Sequence, residues 1–518
     1  MDLRHNQGVV ILDFGSQYTR LIARRIREQK IFSEILPSNT KVDVIRKLNP
    51  IAIILSGGPS SVYSKSAPKH DESIFNLDIP ILGICYGLHL LVQHYGGKIE
   101  TSNVREYGFD EIKIKNKTDL FDTIPNKTKV WMSHADKVSK LPKNWEMTAE
   151  SSNGIVASLE SKSKKRYATQ FHPEVDHTEK GKEILSNFLF KIAKCNPTWT
   201  PDNFIVKKVD EIRGIVGKSG NVLTGVSGGV DSSVVAALLN KAIGDRAISV
   251  IIDHGFMRKD ETKNCVKSLK EHLGLNVQLF DESEVFLERL KGIKNPEKKR
   301  KIIGEQFIRS FEKIARKIGH IDFLAQGTLY TDVIESGGHG NVKSAKVIKS
   351  HHNVGGLPKN MELKLIEPLK ELFKDEVRNV GRELGLSEKL LNRHPFPGPG
   401  LAVRILGSIT QERIDILQET DDIYIRILQE EGIYNEIWQA FSVLIPVKTV
   451  GVMGDNRTYE NLIALRAVTS LDGMTADWYR MPDNILSKIS NKIVNSVSGI
   501  NRVVYDVTSK PPGTIEWE

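Results

Sequence analysis

The residues best suited to chemistry form two groups along the 518-residue sequence. The first is Gly83-Ile84-Cys85-Tyr86-Gly87 with His172-Pro173-Glu174. A cysteine with a glycine two residues away on each side has the form of a nucleophile elbow, in which the glycines permit the tight turn that lifts the sulfur out of a sheet. A thiolate also needs a base and a group to orient that base. Residues two apart on a strand face the same way, so the spacing points His172 and Glu174 at one site. Pro173 has no N–H to give to a ladder and suits a strand end. His89 and His134 are competing bases. Gly58 and the Tyr86 backbone N–H are candidate oxyanion-hole donors, a role worth about 2.7–4 kcal/mol in the transition state. The plain alternative is a buried structural cysteine.

The second group is Ser227-Gly228-Gly229-Val230-Asp231-Ser232-Ser233. It follows the apolar run 222–226 and leads into the apolar run 234–239. A glycine-rich turn between a strand and a helix aims backbone N–H groups at one spot, where the helix dipole adds positive character. Gly228 and Gly229 let the backbone approach a bulky anion, and the three serines add hydroxyl donors. The guest this suits is a phosphate or pyrophosphate. No lysine follows the glycines, so a kinase-type loop is not supported. Asp231 beside such a cradle is repulsive unless a cation such as Mg²⁺ lies between. A strand–helix turn whose serines cap the helix is the plain alternative.

Both groups need sheets to hold them. Residues 8–14, 32–36, 51–55 and 80–84 read as buried strands, with helices at 18–29 and 86–95 between or after them. Residues 247–253, 277–280 and 323–325 continue the pattern beyond the phosphate loop, with a helix at 260–273. Strands alternating with helices predict mostly parallel sheets, whose ligands sit at the carboxyl ends of strands. The segment 194–201 reads as a linker, and 393–401, with three prolines and two glycines, as a second boundary. The remainder, with segments at 409–431, 440–447, 449–453, 462–469, 482–497 and 502–507, reads as α+β. The fold class is therefore α/β: two successive doubly wound parallel-sheet domains, at 8–199 and 200–393, followed by a small α+β domain at 394–518. The basic run 291–301 reads either as a solvated face or as a cationic lid over phosphates. Residues 326–336 and 349–358 read as polar loops. Adjacent His351 and His352 rarely share one ion, and the surrounding sequence supplies no further ligands for a metal.

Bulk composition narrows the setting. The net charge of +9 is mild for this length and suits anionic small substrates as well as nucleic acid. Three scattered cysteines cannot make a disulfide framework or a zinc site. A reduced, cytoplasmic protein without leader or membrane span is the expectation.

Gly83 to Gly87 with His172-Pro173-Glu174 resembles the class I glutamine amidotransferases, and the loop 227–233 resembles the ATP-pyrophosphatases. Segments 299–304, 326–336, 349–353, 394–401 and 509–518 together resemble the glutamine-hydrolysing GMP synthetases, in order and over essentially the whole chain. One departure is Thr331, where that family usually has proline. The resemblance implies that Cys85, His172 and Glu174 release ammonia from glutamine. It implies that the loop 227–233, with Asp253 and Lys349, binds ATP and pyrophosphate, with Mg²⁺ near Asp231 and no organic prosthetic group. It implies that Arg300, Gln439, Asp455, Lys510 and Glu516 contact XMP, and that the third domain makes a homodimer. No nucleic-acid or membrane partner is implied. A tRNA-modifying adenylating enzyme would need an RNA-binding appendage and sulfur-carrying cysteines near the loop. A non-catalytic relative would be expected to lack Cys85, the loop glycines or Asp231.

Overall fold

The computed structural model describes residues 8–59, 61–335, 363–453, 456–470, 473 and 475–518. The chain divides into two compact units, one reaching Phe204 and one beginning at Ile205.

The first unit is built on a nine-stranded sheet of order β2-β1-β3-β4-β9-β8-β7-β5-β6. Five strands are parallel: β1 (Val9–Asp13), β2 (Ser33–Pro37), β3 (Ala52–Leu55), β4 (Ile81–Ile84) and β9 (Arg166–Thr169). The near-continuous apolar sequence of β1, β3 and β4 fits burial on both faces; β3 and β4 are buried throughout. The other four run antiparallel to their neighbours: β5 (Lys98–Ile114), β6 (Lys127–Lys140), β7 (Glu146–Glu150) and β8 (Val156–Ser161).

The second unit holds two sheets. The first is all parallel, in the order β12-β11-β10-β13-β14. It comprises β10 (Val222–Gly225), β11 (Ala247–Asp253), β12 (Val277–Asp281), β13 (Phe323–Ala325) and β14 (Lys364–Ile366). Strand order reverses beside β10, the kind of switch point at which such sheets bind ligands. The second sheet joins β15 (Gln439–Met453), β16 (Asn456–Thr469), β17 (Asp477–Trp478) and β18 (Ile500–Tyr505). Both sheets drain into one apolar core, running from Leu223, Val250 and Phe311 to Leu401, Leu417, Leu444 and Ile489. The break expected between 447 and 449 is a register shift between Ile445 and Thr449 inside one long strand.

Several local expectations change. The linker read at 194–201 ends where Pro201 opens the helix Pro201–Val216. Part of the polar loop at 326–336 is helical, Tyr330–Glu335. There the Asp332 carboxylate accepts from Leu329 N at 2.9 Å and Tyr330 N donates to Leu372 O at 3.0 Å. Thr331 stands in the first turn of that helix, where proline is also tolerated. The basic run opens the helix Pro296–Ile318, capped by Asn295. Its Lys299 is neither solvated nor a lid residue: it is fully buried and donates to Ala402 O and Ile405 O.

Buried cations, Arg466 of β16 among them, hold the end of the chain. Arg466 is fully buried and donates to Thr508 O at 2.5 Å and Thr514 O at 3.2 Å, with Asp506 at 3.3 Å. Arg404, equally buried, holds Glu516 with two bonds of 2.8 and 3.1 Å. Lys299 pairs with the Glu518 side chain. Against Arg404 lies Phe396, whose ring centre is 4.9 Å from the Arg404 guanidinium and 5.4 Å from those of Arg258 and Arg393. Each of the three cations has its own carboxylate: Asp421 for Arg258, Glu261 for Arg393 and Glu516 for Arg404.

Removing one partner of a buried pair strands the other. Arg466→Met should cost about 3 kcal/mol or more of unfolding free energy. Lys488→Met, which breaks a half-exposed pair with Glu431, should change it by less than about 1 kcal/mol. Denaturant unfolding of the two variants side by side checks the contrast.

Candidate active site

Cys85 stands between the end of β4 and the helix Tyr86–His94, with φ 51° and ψ −100°. This left-handed conformation is costly for a non-glycine residue. The surroundings enforce it. A side chain on Gly83 would lie 2.5 Å from the Gly87 carbonyl group, and one on Gly87 would lie 2.5 Å from Leu55 O. Strand and helix are therefore in backbone contact, which only glycine allows. Cys85 N donates to Thr169 O at 2.8 Å, tying the elbow to β9. As the residue before the helix, Cys85 is followed by the Tyr86 N–H, one of the first-turn donors that a helix leaves without an internal acceptor.

His172 and Glu174 meet as expected, though not for the expected reason. Strand β9 ends at Thr169, and residues 172–174 lie in a turn rather than on a strand. Other contacts set the orientation. His172 N donates to Trp131 O at 3.0 Å, and Thr178 Oγ1 donates to His172 O at 2.7 Å. Arg25 Nε donates to Glu174 O at 3.0 Å. The His172 Nδ1 to Glu174 Oε1 distance is 2.7 Å, and both side chains are buried. Burial opposes charge on the ring, but the Glu174 carboxylate and the Cys85 sulfur outweigh it, and the His172 pKa stands well above its ordinary value. The competing bases have other partners. His134 pairs with Glu106 at 2.9 Å, and His89 Nε2 lies 2.8 Å from Gln170 Oε1. The remaining thiols, Cys195 and Cys265, are both pushed up to about 11 by burial. Gly58 packs against the elbow helix: a side chain there would lie 2.8 Å from Phe14 O and 3.2 Å from the Tyr86 ring.

The loop 227–233 leaves β10 and enters the helix Val230–Ile243 through Gly228, whose φ is +73°. Its hydroxyls brace it. Ser227 N donates to Ser232 Oγ at 3.2 Å, and Ser233 Oγ donates to Gly229 O at 2.8 Å. Two cations that sequence reasoning missed also reach it. Arg393 Nη1 donates to Gly228 O at 2.6 Å, and Lys374 Nζ lies 2.5 Å from both carboxylate oxygens of Asp231. Nothing in the local sequence marks either; only the fold brings the helix Lys374–Glu383 and the segment after Leu391 to the loop. Asp253 closes β11 and accepts from Gly255 N at 2.9 Å.

Among the described residues no cluster of three or more metal-type side chains forms. A Mg²⁺ ion is commonly held by one or two carboxylates plus substrate phosphates, all hard oxygen ligands. Asp231 fits that role: its carboxylate is partly exposed and already drawn to a cation.

Of the residues expected at an acceptor nucleotide, four are described. Gln439 Nε2 donates to Glu516 Oε1 at 2.8 Å, which joins two of them directly. Arg300 donates to Glu518 O in the same terminal segment. Lys510 is turned to Gly473 O at 2.8 Å. Lys349 and Asp455, with the His351-His352 pair, lie outside the described residues.

Residues 10–192 match the family model for glutamine amidotransferase class-I, residues 203–305 that for NAD synthase, and residues 426–517 that for the GMP synthase C terminal domain. A protein of Chlorobaculum tepidum named GMP synthase, glutamine-hydrolyzing, is 56% identical over 520 residues, covering 99% of each chain. One of the same name from Chlorobium chlorochromatii is 57% identical over 519 residues, 99% of this chain and 100% of that one. Another from Brachyspira hyodysenteriae is 53% identical over 510 residues, 98% and 99% of the two chains. The class is thus that of a glutamine-dependent ligase, with an amidotransferase unit followed by a nucleotide-activating one. Within that class, the chain belongs to the glutamine-hydrolysing GMP synthase family.

The charge on His172 depends on Glu174. Glu174→Gln should return the ring toward its ordinary titration range, measured by NMR, and lower glutaminase turnover by roughly a hundredfold. An unshifted ring with normal turnover would remove Glu174 from the site.

Proposed function

We propose that this chain makes GMP from XMP, with ammonia taken from glutamine and activation supplied by ATP. The observation that carries the reading is the full-length likeness, 56% over 520 residues, to a protein named for that activity. The geometry supports it. Cys85 attacks the side-chain amide carbon of glutamine. His172, charged through Glu174, delivers a proton to the departing ammonia. The Gly58 and Tyr86 N–H groups face the oxyanion. Water then attacks the thioester and His172 takes its proton, releasing glutamate.

In the second half, the C2 oxygen of XMP attacks the α-phosphorus of ATP. Pyrophosphate leaves into the loop of Ser227, Gly228, Gly229, Val230, Asp231, Ser232 and Ser233, and ammonia displaces AMP. Mg²⁺, held by Asp231, would screen the phosphate charge there. Lys374 is placed to pass from that carboxylate to a phosphate oxygen. Asp253 and Lys349 complete this site in the proposal. Arg300, Gln439, Asp455, Lys510 and Glu516 take XMP, where a carboxylate such as Glu516 accepts purine N–H donors and the cations meet phosphate. The functional divisions are 8–199, 200–393 and 394–518. We assign a homodimer through the last of these and a cytoplasmic setting.

Pyrophosphate release measured with XMP, ATP and Mg²⁺, with and without glutamine, tests the reading; release that does not depend on XMP would overturn it. Cys85→Ala should abolish glutamine-dependent GMP formation and spare ammonium-dependent formation; loss of both would make Cys85 structural. Asp231→Ala should abolish XMP-dependent pyrophosphate release from ATP, and near-normal turnover at saturating Mg²⁺ would refute its metal role.

A further inference from the structure

Gln170 is completely buried, two residues before His172, and the mechanism above gives it no task. Its backbone is fixed, with N donating to Ala157 O at 2.8 Å. Its side chain joins two groups of the site: Nε2 lies 3.8 Å from Cys85 Sγ, and Oε1 lies 2.8 Å from His89 Nε2. His89 belongs to the same elbow, for its own N–H reaches Cys85 O at 3.3 Å.

The placement of the Gln170 amide, oxygen toward His89 and nitrogen toward sulfur, sets the polarity of this chain. Burial pushes His89 down to about 4, so the ring is neutral at physiological pH. A neutral ring whose Nε2 faces an amide oxygen carries its proton on Nε2 and donates it. The amide then turns its N–H groups toward the sulfur. Ser133 O lies 3.7 Å from the same sulfur and is an acceptor only, serving the thiol form. Beside charged His172, Gln170 is a second contact that serves the thiolate.

We propose that Gln170, oriented by His89, is a catalytic hydrogen-bond donor to the Cys85 sulfur that assists its departure from the glutamyl thioester. This rests on the reading of Cys85 as the nucleophile. In the second half of glutamine hydrolysis, a water oxygen bonds to the thioester carbon and the water proton goes to His172. The carbon–sulfur bond breaks and its electron pair returns to sulfur. Charge on sulfur grows during that step, and a donor aimed at it lowers the barrier. His89 touches no reacting atom; it is a positioning residue that keeps the amide from rotating its oxygen toward the thiolate.

The test uses the full-length enzyme in a glutaminase assay, with ammonium-dependent GMP formation as the measure of intact folding. Gln170→Leu should lower glutaminase kcat roughly tenfold or more, with KM for glutamine within about twofold. Acid-quenched samples should show by mass spectrometry a larger fraction of Cys85 carrying the glutamyl group. His89→Phe should act in the same direction, and His89→Gln, which keeps a donor toward Gln170, should recover most of the loss. Wild-type kcat and acyl-enzyme fraction in Gln170→Leu would overturn the proposal. Should that variant fail to fold, the His89 pair decides: equal activities of His89→Gln and His89→Phe overturn it. Failure of the underlying reading looks different, because Cys85→Ala would then either keep its glutamine-dependent activity or lose ammonium-dependent formation as well.

Discussion

Two strand–helix junctions that depend on glycine set the geometry of both sites. At the first, backbone presses on backbone, and glycines at 83 and 87 leave Cys85 a single conformation. At the second, Gly228 takes a positive φ so that the loop turns directly into its helix. In each case a parallel strand ends, the chain reverses within a few residues, and the first N–H groups of a helix are left facing the carboxyl edge of a sheet. What lies at that edge decides the chemistry. A buried carboxylate and imidazole beside the first junction suit a thiolate; lysine, arginine and an acid beside the second suit phosphate and metal.

Charge is buried in both units, and it is compensated locally. The pair of His172 and Glu174 sits inside the first unit, where each group justifies the charge on the other. In the second unit Arg404, Arg466 and Lys299 have no exposure to water, and acceptors from the terminal segment surround them. The terminal residues thus belong to the interior pattern of ion pairs, and their order is set by the demands of those cations.

The parallel strands, the elbow and the tight turn at 227–233 were legible because each is encoded within a few neighbouring residues. Apolar runs such as Ile81 to Ile84, glycines at fixed offsets from Cys85, and the serine–glycine turn at 227–233 carry their meaning locally. The pairing of His172 with Glu174 was anticipated by an argument from strand alternation, yet a turn makes it, held by Trp131, Thr178 and Arg25 from distant parts of the sequence. Lys374, Arg393 and Gln170 were invisible for the same reason. None sits in a distinctive local pattern, and each gains its partner only through tertiary packing. The burial of Lys299 in a run of six basic residues shows the limit of reading charge as exposure: one helical position of that run faces a pair of carbonyls.

The ring of Phe396 has a consequence for how the second unit responds to its solution. Three guanidinium groups around it would repel one another and be loosened or tightened by ions in the medium if they stood in water. Here each carries its own acid, and an aromatic face rather than solvent separates them. Such a joint is nearly neutral as a whole and only partly open to mobile ions. The packing of the phosphate-loop sheet onto the β15–β18 sheet should therefore hold across a broad range of ionic strength, while the exposed pairs on the helices around it come and go with salt.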